Sequence, residues 1–387
     1  MSVFTKQRRG DVGGYRELEP KFDYLDRSAR PEAAAIRRRI TRWLEAYPMA
    51  HRQEWIARFT CGDDIAYASA FFELYLFTYF TRAGFRLQVA PGSEQGTVKA
   101  PDFRATRKGL AFYLEATTAH DQGTAGQRVK SWKAIVRSHI DSISNDFFFV
   151  SLEWGRDPST QPAPARAAQS VERWLTTLEY AALRAQYAAP EFEFPTLALE
   201  IGGGNLRVLA VPKNNPRQTH GLLGAETFGL RQVNVLTAVR SALKHKSSRY
   251  GDLELPYVVA INVLANTAGD DEFVDALYGT PEVVVHADGR HRWRYGSDGG
   301  FGHLGRPRAQ GVSGVLCVRD LSPWTIGQEH ESRRMYLLHH PNCRTPLPVG
   351  AFSMSERWVQ SGRIMSSRGR YSRGLLGIPR DWPANLR

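Results

Sequence analysis

A long apolar run at residues 65–82 holds a single acid, Glu73, and predicts a buried helix. Residues 62–64, Gly-Asp-Asp, offer an N-cap before the run, and Gly84 offers the stop after it. The residues at helical spacing from Glu73 are mostly apolar, where an unpaired carboxylate is costly. Glu73 therefore pairs with an arginine, extends its carboxylate towards solvent, or belongs to a functional site.

Two short alternating runs follow, and the Lys108-Gly109 turn between them predicts a β-hairpin. The first run opens at Pro101-Asp102, and the second holds Glu115 on the face opposite to its apolar residues. Asp102 and Glu115 can then lie side by side on adjacent strands, where two carboxylates repel each other unless a cation holds them. Oxygen ligands with open positions suit Mg²⁺ or Mn²⁺.

This arrangement resembles the PD-(D/E)xK nuclease superfamily, which has the restriction-endonuclease-like fold. The matching positions are Glu73 on the first core helix, Pro101-Asp102, and Glu115-Ala116-Thr117. The match covers roughly residues 60 to 120. Its motif is short, but the order of elements makes it more specific: a helix, a strand, the strand that opens at Pro101-Asp102, a hairpin turn, and the strand that holds Glu115, called here the acid strand. In one departure from the family, Thr117 stands where the motif normally has its lysine.

The resemblance implies an α/β fold: a mixed central sheet flanked by helices, with a restriction-endonuclease-like core and a large insertion. It also implies metal-dependent hydrolysis of phosphodiester bonds in DNA, with Mg²⁺ or Mn²⁺ as the cofactor. Asp102 and Glu115 would hold the ion together with the carbonyl of Ala116. Glu73 would bind through water or hold a second ion.

A lysine from a neighbouring element would have to replace the missing motif lysine. Lys246 is the first candidate, because it continues the apolar stripe of Val239 and Leu243 and so points towards the sheet. Lys244 falls on a different face and is expected to be solvated. Lys133 is the second candidate. For each of these lysines, a side chain that simply extends to solvent is the alternative.

The family core needs a further helix and strand after the acid strand, and two pairs in the sequence fit. The earlier pair is a helix at residues 128–144 with a strand at 147–153, and the later pair is 230–246 with 257–263. The later pair is preferred because its segment looks like a recurring layout in bacterial relatives of this fold. Residues 120–228 would then form the insertion.

These assignments divide the chain into three regions. Residues 1–60 form an N-terminal arm and helices, residues 61–280 the nuclease-like core, and residues 281–387 a C-terminal β-rich extension with a basic tail. The tail, residues 361–387, carries six arginines against one acid.

The net charge of +12 favours a polyanionic partner, chiefly nucleic acid, and the resemblance implies DNA. An arginine-rich proteome is the alternative explanation, and the arginines at residues 37–39 either contact phosphates or line a solvated helix face. No run approaches the roughly 20 apolar residues of a membrane span, and no secretory signal is evident, so the expected compartment is cytoplasmic. A homodimer is left open.

Three functions remain open at this point. The first is a magnesium-dependent endodeoxyribonuclease with Glu73, Asp102, Glu115 and Lys246 as its catalytic set. The second is a catalytically degenerate protein of the same fold that binds nucleic acid or acts as a scaffold, which Thr117 favours. The third is an unrelated enzyme or interaction protein in which the acids form structural ion pairs.

Overall fold

A computed structural model describes residues 3–16, 19–91, 100–119, 124–187, 193–214, 216, 222–223, 235–264, 270–285, 291–303, 306–329 and 335–383. The chain divides into two compact units. The first contains Met1–Tyr15, Glu19–Asp121 and Val233–Arg387, and the second contains Arg16–Leu18 and Gln122–Gln232.

The helices, in chain order, are α1 Lys21–Arg27, α2 Pro31–Ala46, α3 Met49–Thr60, α4 Asp64–Arg82, α5 Thr124–Asp141, α6 Pro164–Leu175, α7 Tyr180–Gln186, α8 Val235–Ser247, α9 Asp270–Tyr278 and α10 Ser372–Leu376. The strands are β1 Arg86–Val89, β2 Phe103–Arg107, β3 Leu110–Ala119, β4 Phe148–Arg156, β5 Thr196–Ile201, β6 Gly204–Pro212, β7 Tyr257–Val263, β8 Pro281–Val285, β9 His291–Tyr295, β10 Gly302–His303, β11 Arg306–Pro307, β12 Gly314–Arg319, β13 Tyr336–His339, β14 Ser355–Gln360 and β15 Arg363–Ser367. No described helix is long and apolar enough to cross a bilayer.

An eight-stranded mixed sheet forms the centre of the first unit, in the order β1-β2-β3-β7-β12-β13-β14-β15. The pairs β3–β7, β7–β12 and β13–β14 are parallel, and the other neighbours are antiparallel. Helices cover both faces, and all seven residues of β7 are buried, as is typical of a central parallel strand. The predicted α/β class with a mixed, helix-flanked sheet is confirmed.

Helix α4 forms where its apolar run and end signals predict it. The Asp63 side chain caps the helix by accepting from the amides of Ile65 and Ala66, at 2.6 and 3.1 Å. Gly84 follows the helix with φ +85°, a conformation that glycine adopts without steric cost. The helix packs on one face of the sheet, against side chains such as Phe112.

The opposite face of the sheet is covered by α8 and α9. Val239 and Leu243 of α8 and Phe273 of α9 join Val259 and Ile261 of β7 in a second apolar core. Strand β7 pairs directly with the acid strand β3, so the preferred later helix–strand pair is the one beside Glu115. The part of that predicted helix at residues 230–234 lies outside the described residues.

The second unit contains the earlier helix–strand pair, α5 and β4. Its three-stranded sheet has the order β4-β6-β5, and a separate apolar core lies beneath it. The hairpin between β5 and β6 turns at Gly202 and Gly203, both with positive φ, as the glycine run predicts. This unit covers nearly the same residues as the predicted insertion.

The region from residue 281 onward extends the main sheet, because β12 to β15 are four of its strands. Its basic tail is anchored in the same core: Leu376, Ile378 and Trp382 are all buried. The indole N–H of Trp382 donates to the carbonyl of Pro323 at 2.9 Å. Residues 384–387, which include the last tail arginine, lie outside the described residues.

The predicted N-terminal arm is also partly fixed. The side chains of Val3 and Phe4 are buried in the same core as α4, and Arg9 forms an ion pair with Asp26 at 2.8 Å. Val3, Phe4 and Arg9 therefore fix this part of the arm, whereas residues 5–8 are exposed.

Truncating the tail anchor tests this packing. Trp382→Ala removes a buried indole and is expected to lower the free energy of unfolding by about 3–5 kcal/mol, measured by equilibrium urea denaturation. Met365→Ala is the control. Met365 lies in β15 and is 42% exposed, so its truncation should change the free energy of unfolding by about 0.5 kcal/mol or less. Equal effects of the two substitutions would contradict the anchoring of the tail.

Candidate functional site

The β2–β3 hairpin places Asp102 opposite Glu115. Phe103 pairs with Leu114, and Asp102 comes one residue before Phe103. The amide of Asp102 donates to Oε2 of Glu115 at 3.3 Å, and the amide of Ala116 donates to Oδ2 of Asp102 at 2.7 Å. The two carboxylates are therefore tied to each other's backbone across the hairpin.

Glu115 lies on the sheet face that α8 covers, and its side chain is only 1% exposed. Three side chains surround it. Oε1 accepts from Nζ of Lys246 at 2.5 Å and from Nη1 of Arg249 at 3.2 Å, while Oε2 accepts from the hydroxyl of Tyr250 at 2.7 Å. Two positive charges and a hydroxyl thus compensate a carboxylate whose burial alone would be costly.

Lys246 occupies the position that its apolar stripe predicts. Its side chain is 12% exposed, whereas Lys244 on the same helix is exposed to solvent. Lys133, the second candidate, pairs with Asp157 and lies 5.1 Å from the ring of Trp154, all within the second unit. Lys246 is therefore the lysine that the structure brings to Glu115.

Glu73 lies on α4 and is held by two donors of its own. The hydroxyl of Tyr47 donates to Oε1 at 2.5 Å, and Nη2 of Arg58 donates to Oε2 at 2.7 Å. The pairing with an arginine, one of the alternatives for this acid, is present, and a functional role for Glu73 stays a prediction. Each carboxylate oxygen of Glu73 accepts a hydrogen bond from one side chain, Tyr47 on Oε1 and Arg58 on Oε2.

Electrostatics connect the three acids. Burial raises the pKa of Asp102 to about 8, and the negative charges of Glu115 and Glu73 add to the rise. The amide of Ala116 and the charge of Lys246 oppose it but do not cancel it. The protein groups around Asp102 therefore leave its negative charge undercompensated, which is the condition that a bound cation would relieve.

The site has few side chains that could hold a metal ion. Among the described residues, no group of three or more His, Cys, Asp or Glu side chains is placed to hold a metal. Mg²⁺ is usually bound by one or two carboxylates together with water and other oxygen ligands. Asp102 and Glu115 are carboxylates of the type that Mg²⁺ or Mn²⁺ prefers, but Glu115 already accepts from four donors and would have to lose one of them to join Asp102 around an ion.

Several side chains at this site were missed from sequence. Arg249 and Tyr250 follow the end of α8 within four residues of Lys246, so their closeness in sequence to a candidate lysine could have indicated them. Arg58 and Tyr47 reach Glu73 from α3 and from the end of α2, and no local pattern marks such a long-range pairing.

Comparisons of this chain with protein-family models, with curated proteins and with solved structures found no match. The resemblance to PD-(D/E)xK nucleases therefore remains a prediction from the residues.

The raised pKa of Asp102 gives a pH-dependent prediction. Between the ordinary pKa of 3.8 and the folded value of about 8, the folded state keeps a proton that the unfolded state has lost. The stability contribution of Asp102 therefore falls as pH rises from about 4 to about 8 and then levels off. Asp102→Asn abolishes this titration while retaining an oxygen that can accept the Ala116 amide.

In EDTA, the melting temperature of Asp102→Asn should exceed that of the wild type by a margin that grows from pH 5 to pH 8. Thermal unfolding monitored by circular dichroism measures this margin. The matched control is Asp381→Asn at an exposed position, which should change stability little at either pH. A margin that stays constant or shrinks over this range would contradict the assignment of a raised pKa to Asp102.

Proposed function

We propose that this protein is a metal-dependent nuclease that hydrolyses phosphodiester bonds in DNA. The observation that carries the proposal is the meeting of Asp102, Glu115 and Lys246: two carboxylates on a hairpin, with the lysine nitrogen 2.5 Å from one of them. Thr117 removes the lysine from its usual place in the motif, and α8 supplies one from the adjacent element.

The arrangement of elements supports the finer fold proposal. The acid hairpin β2–β3 is followed in the sheet by the parallel strand β7, with α4 on one face and α8 on the other. We assign this set as a restriction-endonuclease-like core. Residues 122–232 would be its insertion, since they form a compact unit of their own.

In this proposal Asp102 and Glu115 hold Mg²⁺ or Mn²⁺, with Ala116 as a backbone contributor. The bound ion would lower the pKa of a water molecule and stabilise charge on the phosphate. Lys246 orients the attacking water and offsets negative charge that develops in the transition state. Glu73, fixed by its own two donors, adds negative charge near Asp102 and so favours the cation.

The positive charge of the chain supports a polyanionic substrate, but the arginine run on α2 contributes little to that argument. Nη1 of Arg37 donates to the carbonyls of Leu25 and Ser28 at 2.6 and 2.8 Å. Arg39 donates to the carbonyl of Gly377 at 3.1 Å. These two arginines stabilise the fold, and among the described residues Lys246 and Arg249 are the positive charges that contact Glu115.

A second candidate function is binding of nucleic acid without turnover. It is favoured because Glu115 already has a full set of protein donors and Glu73 is paired with Arg58. Both acids could therefore serve as structural partners without binding a metal ion. This candidate shares the fold and the charge of the first, and it differs in predicting no metal-dependent cleavage.

Lys246→Met separates the two candidates. Methionine keeps much of the apolar stem but removes one of the two positive charges that compensate the buried Glu115. The variant should therefore fold with lower stability, because Arg249 and Tyr250 still contact Glu115, and its DNA affinity should change little. Loss of a transition-state contact should slow cleavage of a labelled duplex about 10²-fold or more under single-turnover conditions with Mg²⁺ or Mn²⁺.

Lys244→Met is the matched control, because it removes the same charge from an exposed position on the same helix and should leave the rate nearly unchanged. Wild-type cleavage by Lys246→Met would refute the role of this lysine. If the wild type cleaves no DNA or RNA with either ion, the binding protein without turnover becomes the better account.

A further inference from the structure

Glu115 has no free position for another partner. An ionised carboxylate has about four acceptor sites, and Glu115 accepts from four donors. Lys246 and Arg249 bind Oε1, while Tyr250 and the amide of Asp102 bind Oε2. A cation can share Glu115 only if one of these donors withdraws.

Arg249 is the donor that can withdraw at the lowest cost. Its contact with Glu115 is 3.2 Å, against 2.5 Å for Lys246, and its side chain is 36% exposed, against 12%. Tyr250 is buried, and the amide of Asp102 is fixed by the backbone of the hairpin. The guanidinium of Arg249 can therefore turn towards water without leaving a buried charge unpaired.

The withdrawn side chain would stay near the site. Arg249 directly precedes Tyr250 in the chain, and its guanidinium carbon lies 5.4 Å from the centre of the Tyr250 ring, within the range of a cation–π contact. A planar guanidinium with five N–H donors matches the oxygens of a phosphate better than any other side chain does. Displacement from Glu115 would present these donors at the edge of the acid pair.

We propose that Arg249 alternates between two partners: it neutralises Glu115 while the acid pair lacks a metal ion, and it binds a phosphate oxygen of the DNA strand once a divalent cation shares Glu115. This inference rests on the proposed nuclease function and assigns to Arg249 a substrate-binding role that depends on the metal. The cation and the DNA then bind cooperatively through one side chain.

The test is a thermodynamic cycle on DNA affinity. Fluorescence anisotropy measures the dissociation constant of a duplex in EDTA and in Ca²⁺, with the wild type and with Arg249→Gln. The wild type should gain affinity with the cation. In EDTA the variant should bind as the wild type does, and in Ca²⁺ it should bind about tenfold more weakly or worse, because a charge-assisted hydrogen bond is missing.

Two controls make the result specific. Lys244→Gln removes another basic side chain of the same region, and any loss of affinity should be equal with and without the cation. The rise in melting temperature with Mn²⁺ should be at least as large in Arg249→Gln as in the wild type, because a competitor for Glu115 is gone.

The contrary outcomes overturn either the alternation of Arg249 or the nuclease proposal beneath it. If Arg249→Gln keeps the full cation-induced gain in affinity, Arg249 is a structural ion-pair partner and the alternation is refuted. If it loses equal affinity with and without the cation, Arg249 contacts DNA permanently, and the alternation is again refuted. If the wild type responds to no divalent cation in melting temperature, binding or cleavage, the nuclease proposal itself fails.

Discussion

The buried carboxylate of Glu115 is the constraint on which the candidate site depends. It sits on a central strand, where water cannot stabilise its charge, so the protein must supply donors from elsewhere. These donors come from the end of α8 and the residues just after it, which ties that helix to β3. The same requirement explains why a lysine on an otherwise apolar helix stripe points inward.

The three acids around the hairpin differ in how far neighbouring donors compensate their negative charge. Glu73 has Arg58 and Tyr47, and Glu115 has Lys246, Arg249 and Tyr250, so both have compensating donors. Asp102 lies between them with an amide as its main donor, and its pKa is raised to about 8. In the proposed nuclease a cation would bind beside Asp102, and Glu115 would share it by exchanging one of its positive partners.

Local sequence signals predicted the elements that position this site. The cap at Asp63 and the glycine at Gly84 define α4, and the turn at Lys108-Gly109 defines the acid hairpin. The inward stripe of α8 predicted the direction of Lys246. Each of these signals operates over a few residues, where periodicity and turn chemistry dominate.

The rest of the structure depends on pairings between distant parts of the chain. Strand β12 lies beside β7, Arg58 pairs with Glu73, and Trp382 is buried in the same apolar core as α4, but none of these contacts leaves a local pattern. The high arginine content of residues 361–387 led to the prediction of a basic tail. The burial of the apolar residues in this segment depends on distant parts of the chain, so it could not be predicted from the composition.

In the proposed site Asp102 and Glu115 share one divalent cation. The most direct measurement of this shared ion is anomalous X-ray diffraction from crystals of the protein grown with Mn²⁺ and a short DNA duplex. We expect one Mn²⁺ peak about 2.1 Å from an oxygen of each carboxylate, with Lys246 still beside Glu115 and Arg249 on a phosphate. A structure with bound DNA, no peak between these acids, and Lys246 and Arg249 both still on Glu115 would contradict it.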